Sequence, residues 1–175
     1  MATSGTTTFD LSIEEIIQEA YERCGLEMRT GYDARTARRS LNLMFADWAN
    51  RGLNRWTIEQ STLSLTSGTA TYSLPTDTID ILSAVIRTGT GSTQSDTQIT
   101  RISRDTFINI PSKNTEAQPS QWYVDRQIAP IIKVWPTPNT SYTLVYDRLT
   151  RIEDADSSIN TLDVPFRFYP CLAAG

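Results

Sequence analysis

The chain contains no histidine, which removes the commonest general base and the commonest neutral metal ligand. Cysteine is almost as scarce. Cys24 and Cys171 stand far apart, without the CxxC spacing that builds zinc or redox sites. They read as two buried free thiols, with no disulfide scaffold and no metal. Lysine occurs only at Lys113 and Lys133, so arginine supplies nearly all of the 16 basic residues. Arginine suits bidentate pairing at interfaces better than lysine does. A basic surplus is missing too: the net charge is −4, which argues against a generic nucleic-acid binder. No apolar run approaches the ~20 residues that cross a bilayer. The opening MATSGTTTFD lacks the basic start and apolar stretch of a secretory signal. Assembly in a cytoplasm, with no membrane partner, is the expectation.

Reaction-bearing motifs are missing as well. There is no G-x-S-x-G elbow, P-loop, dinucleotide fingerprint or EF-hand. The glycines of TGTGS at Thr88–Ser92 precede no helix that could receive a phosphate. Asp77 and Asp80 lie close in sequence, but they flank a strand start, where turn-forming aspartates are common. No catalytic residue, cofactor or metal ligand is assigned, and the chain reads as a non-enzyme.

What is present is an ordinary globular composition over 175 residues, 39% hydrophobic and 21% charged, enough for a proper core in one domain or two lobes. Residues 1–9, small and threonine-rich, read as a flexible arm. Ser12 and Glu15 form a capping box. Ile13, Ile16, Ile17, Ala20 and Cys24 then share one helical face, and Gly25 stops the helix. A second helix runs from about Ala34 to Asn50, with Asp33 as N-cap and Gly52 past its end. Its stripe is Ala34, Ala37, Leu41, Met44, Phe45 and Trp48, with Arg35, Arg38, Arg39 and Asn42 on a flank. The period then changes to two. Leu63 and Leu65, the Ser67-Gly68 turn, and Ala70, Tyr72 and Leu74 read as a hairpin closed by Pro75. Ile79–Arg87 is apolar on both parities, a strand buried on two faces or at a lobe junction. Thr88–Gln98 has no apolar residue and reads as a solvent-facing loop or hairpin tip. Ser103 caps a short helical turn that ends before Pro111. Trp122–Arg126, Ile131–Trp135 and Tyr142–Tyr146 alternate as an antiparallel three-stranded meander. From Val164 the segment VPFRFYPCLAAG reads as the start of a third helix, with Pro165 at an N-terminal position, and stops in mid-pattern; either it ends against a partner or, the favoured reading, the chain is a fragment of a longer one. The lobes are therefore 10–55 (helical), 56–155 (β-rich) and 160–175 (a C-terminal helix returning to the first lobe).

Two sets of side chains are candidates for contacts with partners. Arg35, Arg38 and Arg39 have three readings: a solvated face, ion-paired with Glu14 or Glu22; a basic flank for intersubunit or portal contacts, meeting the acidic helix of a neighbouring copy around a ring; and a DNA-facing role, which the overall acidity disfavours. Trp48 and Trp56 read as core. Trp122 and Tyr123 point to opposite faces of one strand, so at least one can face outward as an interface anchor, with Trp135 beside them. Sugar stacking by these rings is the competing reading.

The order of several pieces resembles a known family. LNLMFADWANRGLNRWTIEQ, LSLTSGTATYSLPTD, IDILSAVIR, ISRDTFINIPSK, QPSQWYVDR and KVWPTPNTSYTLVYDR, from about Asp10 onward, resemble head-to-tail adaptor (connector) proteins of short-tailed bacteriophages, the tail tubular protein A-like class. The resemblance implies an α+β fold, an antiparallel helical bundle with a β-rich, antiparallel or barrel-like insertion. It implies a structural role: a ring, usually of twelve copies, between the portal protein and the tail nozzle or tail tube of the virion. DNA would pass through its lumen during genome ejection, and an acidic channel would let that DNA slide. In the family the last helical segment extends beyond the point where this chain stops. The alternative is a carbohydrate-binding or depolymerase module of a phage tail.

Overall fold

The computed structural model describes residues 4–29, 31–53 and 55–174. They form two compact units. The described residues up to Trp56 join those from Ile152 onward in one, and Thr57–Arg151 make the other.

In the first unit the helix α1, Ile13–Arg23, starts as the capping box dictates. The Glu15 N–H donates to Ser12 Oγ at 3.3 Å, and the Ser12 N–H donates to the Glu15 carboxylate at 2.8 Å. The next free N–H groups, those of Ile13 and Glu14, donate to the carbonyls of Asn160 and Ser158 at 2.9 and 3.0 Å. The C-terminal strap thus closes the helix end that the cap leaves open. Gly25, at φ +71°, ends α1 in a Schellman turn, with the Leu26 N–H donating to the Tyr21 carbonyl at 2.9 Å. The helix α2, Gly31–Asn50, ends in the same way at Gly52. It begins three residues earlier than the sequence pattern suggests. Asp33 therefore lies in its first turn, accepting from the Arg29 N–H at 3.3 Å, and is not the cap. Ile13, Ile16, Ile17, Leu41 and Phe45 make the core with Ile152, Ala155, Leu162, Val164, Tyr169 and Leu172 from the strap.

The expected helical bundle does not exist. The apolar residues of the strap are irregularly spaced, and it runs through turns and bends without regular structure until a 3-10 turn, Phe166–Phe168, and one helical turn, Tyr169–Leu172. Pro165, which caps the 3-10 turn, and Pro170, in the first positions of the helical turn, remove backbone donors there. Most of the remaining structure is sheet, so the chain is α+β only in the loose sense. Of the arm expected over residues 1–9, the first three lie outside the described residues; Ser4–Phe9 carry no regular structure and are exposed.

The second unit is a sandwich of two four-stranded sheets plus a small two-stranded one. Its strands are β1 (Ile58–Leu65), β2 (Thr71–Ser73), β3 (Thr78–Thr88), β4 (Ser95–Gln98), β5 (Thr100–Arg101), β6 (Glu116–Ala117), β7 (Gln121–Asp125), β8 (Ile131–Trp135), β9 (Thr137–Pro138) and β10 (Tyr142–Thr150), with a helical turn α3 at Arg104–Ile108. The sheet orders are β1-β10-β3-β4, β2-β8-β7-β5 and β6-β9. Leu65, Ile81, Ile86, Trp122, Ile132, Val134 and Leu144, all at most 1% exposed, fill the space between the two large sheets.

Three strand expectations change. The Ser67-Gly68 turn is present, with Gly68 at φ +76°, but β1 pairs with β10 and β2 with β8, so the turn carries the chain from one layer to the other. The meander is likewise split. β7 and β8 form an antiparallel pair, whereas β10 crosses to lie between β1 and β3. Pro136 and Pro138 cannot donate to a ladder, and Thr137–Pro138 pairs instead with Glu116–Ala117. Alternation states which face is inward but not which strand is the neighbour. Finally, β3 is apolar on both parities because its register against β10 slips twice. Ser83 faces Asp147 and Ile81 faces Arg148, leaving Leu82 as an extra residue; Asp80 faces Leu149 and Thr78 faces Thr150, leaving Ile79 as a second. Both extra residues are exposed, while Thr78, Ile81, Ala84 and Ile86 point inward. The segment Thr88–Gln98 is a solvent-exposed hairpin tip ending in β4, pinned by a bidentate Arg87–Asp96 pair at 2.9 and 2.8 Å. That guanidinium holds the Asp96 carboxyl below its ordinary range.

Candidate functional site

Two surfaces of the helical unit have the character of contact sites. The first is the outer side of α2. Arg38 is tied within its own chain, donating to the Asp156 carbonyl, and Asn42 exchanges hydrogen bonds with the Ala155 backbone, accepting at 2.8 Å and donating at 3.4 Å. Arg35 and Arg39 are exposed, and among the described residues their side chains have no hydrogen-bond or ion-pair partner. Among the described residues neither Arg35 nor Arg39 pairs with Glu14 or Glu22 of its own α1, and the Glu22 carboxylate accepts from Gln18 at 2.9 Å. Tyr32 and Leu43, 73% and 66% exposed, extend the same face. Tyr32, Arg35, Arg39 and Leu43 follow one another at three and four residues, which is one side of a helix.

The second surface is an open groove of about 620 Å³ beside α1. Its floor is apolar, built from Leu11, Ile16, Tyr169 and Pro170, and Phe9 and Phe166 stand at its edges, 70% and 69% exposed. Glu15, Glu19 and Glu22 line the groove too, together with Arg23 and Arg167. Behind it the Tyr169 hydroxyl donates to the Asp10 carboxylate. Burial, then that carboxylate, pushes the phenol up to about 12.

In the sandwich, a single carboxylate joins the layers. Asp80 of β3 is gripped by Arg101 of β5 at 2.9 and 3.1 Å and by Arg126, just past the end of β7, at 2.7 and 3.2 Å, β5 and β7 belonging to the opposite sheet. Asp77 accepts from Arg148 at 2.7 Å, as does Glu59 at 2.7 Å. Burial opposes the charge on Arg148, but those two carboxylates outweigh it and raise its pKa. Asp77 and Asp80 are thus ion-pair anchors, which neighbouring arginines neutralise, and not an acid–base pair. Among the described residues no group of three or more histidine, cysteine, aspartate or glutamate side chains is placed to hold a metal ion. No helix among them is long and apolar enough to cross a membrane. The geometry supplies surfaces for holding partners.

The family model described as SU10 adaptor protein matches residues 12–175. The chain belongs to the SU10 adaptor protein family. This is a phage head-tail adaptor family, so the chain is a virion component of structural type that interacts with other head or tail parts. No curated protein matches it.

For this adaptor family member the aromatic candidates fall differently from the sequence expectation. Trp122, 1% exposed, is core: its Nε1–H donates to the Ile99 carbonyl at 3.2 Å and the Arg101 guanidinium lies 5.4 Å from its ring. It offers no surface. Tyr123 is half-buried and stacks on Phe107 at 5.8 Å, and Trp135 donates to the Ser112 carbonyl at 3.0 Å. Trp48 and Trp56 flank Phe168 at 6.1 and 4.9 Å at the margin of the helical core. The cysteines are free, but both are exposed, because Cys24 is the C-cap of α1 and Cys171 lies on the outer side of the last helical turn. The groove was not legible in sequence, since its two walls are some 150 positions apart in a chain of 175 residues. Its one local sign was the unpaired Phe9, an aromatic in an otherwise polar arm.

Proposed function

We propose that this chain is one subunit of a ring at the phage neck that joins the portal to the tail and lets DNA pass through its lumen. Family membership across residues 12–175 carries the reading. Two further features support it. Among the described residues Arg35 and Arg39 remain unengaged, and large apolar side chains at Phe9, Tyr32, Leu43 and Phe166 are left open to solvent, as expected of surfaces that become buried on assembly. Arg38, fixed against Asp156, shapes that flank. Tyr123 and Trp135 shape the sheet surface, and the Thr88–Gln98 tip reaches toward the tail component. A net charge of −4 suits a lumen through which DNA slides without sticking.

A glycan-binding or depolymerase role draws no support from the sheet. Trp122 is inside it, and Asp77 and Asp80 are committed to arginines. The deciding experiment is mass spectrometry of purified virions together with class averages of their necks. A ring of this chain between portal and tail is expected. Absence from purified particles, or a location on the capsid shell, refutes the proposal.

A further inference from the structure

We propose that the groove beside α1 of one copy receives the Tyr32–Leu43 face of α2 from the next copy, in a head-to-tail contact. This rests on the ring reading above and specifies its subunit interface. Charge is the first argument. Glu15, Glu19 and Glu22 line the groove beside Arg23 and Arg167, and Glu22 has Gln18 but no cation for a partner among the described residues, while among those residues the α2 face presents Arg35 and Arg39 without partners of their own. The third arginine of that flank, Arg38, is consumed inside the subunit, so only the outward pair needs a carboxylate from elsewhere.

Apolar anchoring is the second argument. The groove has an apolar floor with exposed Phe9 and Phe166 at its edges, and the α2 face places exposed Tyr32 and Leu43 at either end of its arginines. Three helical turns separate those two anchors, about 16 Å at 1.5 Å per residue. An aromatic or aliphatic anchor entering an apolar hollow, with charged pairs at the rim, is how stable interfaces are built.

The third argument is geometric. The residues lining the groove and those around the arginine flank have no member in common. One copy can therefore offer both surfaces at once. Such a contact is heterologous, and repeated by rotation it closes a ring.

Charge exchange tests the proposal, with assembly read by native mass spectrometry for the chain alone and with isolated portal rings. Arg35→Glu with Arg39→Glu, and separately Glu19→Arg with Glu22→Arg, should each weaken association about tenfold. All four changes in one chain should return it to within about threefold of the wild type. Leu43→Ser and Phe166→Ala, at exposed positions that leave the core intact, should weaken assembly too, and together no more than the stronger alone. The contact is overturned if the double variants assemble like the wild type, or if the quadruple variant stays as weak as either of them. It is also overturned if Arg35→Glu with Arg39→Glu spares self-assembly and abolishes only portal recruitment, which would make the portal the occupant. A wild-type chain that stays monomeric in both settings would refute the ring itself.

Discussion

Replacing Asp80 by asparagine keeps the side chain's size and removes the charge that two guanidiniums share. The carboxylate is 14% exposed, Arg101 38% and Arg126 58%. Arg126 therefore gives up little water to make its pair, and exposed pairs contribute about 0.5 kcal/mol. Arg101 is better held: it also donates to the Ile81 carbonyl at 3.0 Å and lies over the Trp122 ring, so its share should be about 1–1.5 kcal/mol. The total, about 2 kcal/mol, stays below the 3–5 kcal/mol of a stranded buried charge, because both guanidiniums can rehydrate. Urea unfolding followed by tryptophan fluorescence measures the loss, and an unchanged m-value shows that it lies in the folded state. Double-mutant cycles with Arg101→Met and Arg126→Met should give the larger coupling for Arg101, and added salt should reduce the Arg126 coupling more. An Asp80→Asn protein as stable as the wild type, or a coupling order reversed, would refute the claim that this carboxylate fastens one sheet to the other.

Three further outcomes are expected. Tyr169, raised above the ordinary phenol value to about 12, contributes stability that is complete below pH ~10 and lost as the pH rises through its folded value. Tyr169→Phe should flatten the alkaline decline and remove one late-titrating phenol from the 295 nm absorbance curve. Ser12→Ala should cost about 1 kcal/mol of stability through the lost N-cap. Ser12 holds the Glu15 carboxyl below its ordinary value, first through its backbone N–H and then through its hydroxyl. That contribution is present above the usual carboxylate pKa and lost as pH falls through the folded one, so the variant's Glu15 should titrate higher by NMR. Both cysteines should react with a thiol reagent in the native protein at similar rates, because both are exposed; two silent thiols would contradict the fold at Cys24 and Cys171.

Local chemistry was the legible part of the fold. Ser12 with Glu15, Gly25 and Gly52 set helix ends through hydrogen bonds only a few residues long, and each is where the pattern put it. Ser103 capping α3 is another such case. Pairings that span the chain were not legible. Nothing near Tyr142 says that β10 will lie between β1 and β3, and the alternation of Trp122 and Tyr123 does not reveal which of the two faces the second sheet. In β3 the mixed parity was visible, but two slipped registers and burial on both faces leave the same pattern in sequence. The helical bundle failed for a similar reason. VPFRFYPCLAAG carries Pro165 and Pro170, and within the described residues it makes a 3-10 turn and one helical turn packed on the core of the first unit. Among the contact candidates, the arginines were visible as a flank, but only coordinates separate Arg38, which is used internally, from Arg35 and Arg39.

The helical unit is discontinuous: its core needs Ile152, Leu162 and Tyr169 as much as Ile16 and Phe45. On the ribosome, α1 and α2 therefore emerge long before the residues that cover them, while the sandwich has all its strands once residue 151 has left the exit tunnel. The sandwich can fold first, and the apolar stripes of the two helices wait, exposed, until the strap arrives and docks its carbonyls on α1. Translation order thus makes the strap from Ile152 onward the step that closes the core over α1 and α2, and a chain released before it would carry a finished sandwich on an open, adhesive pair of helices.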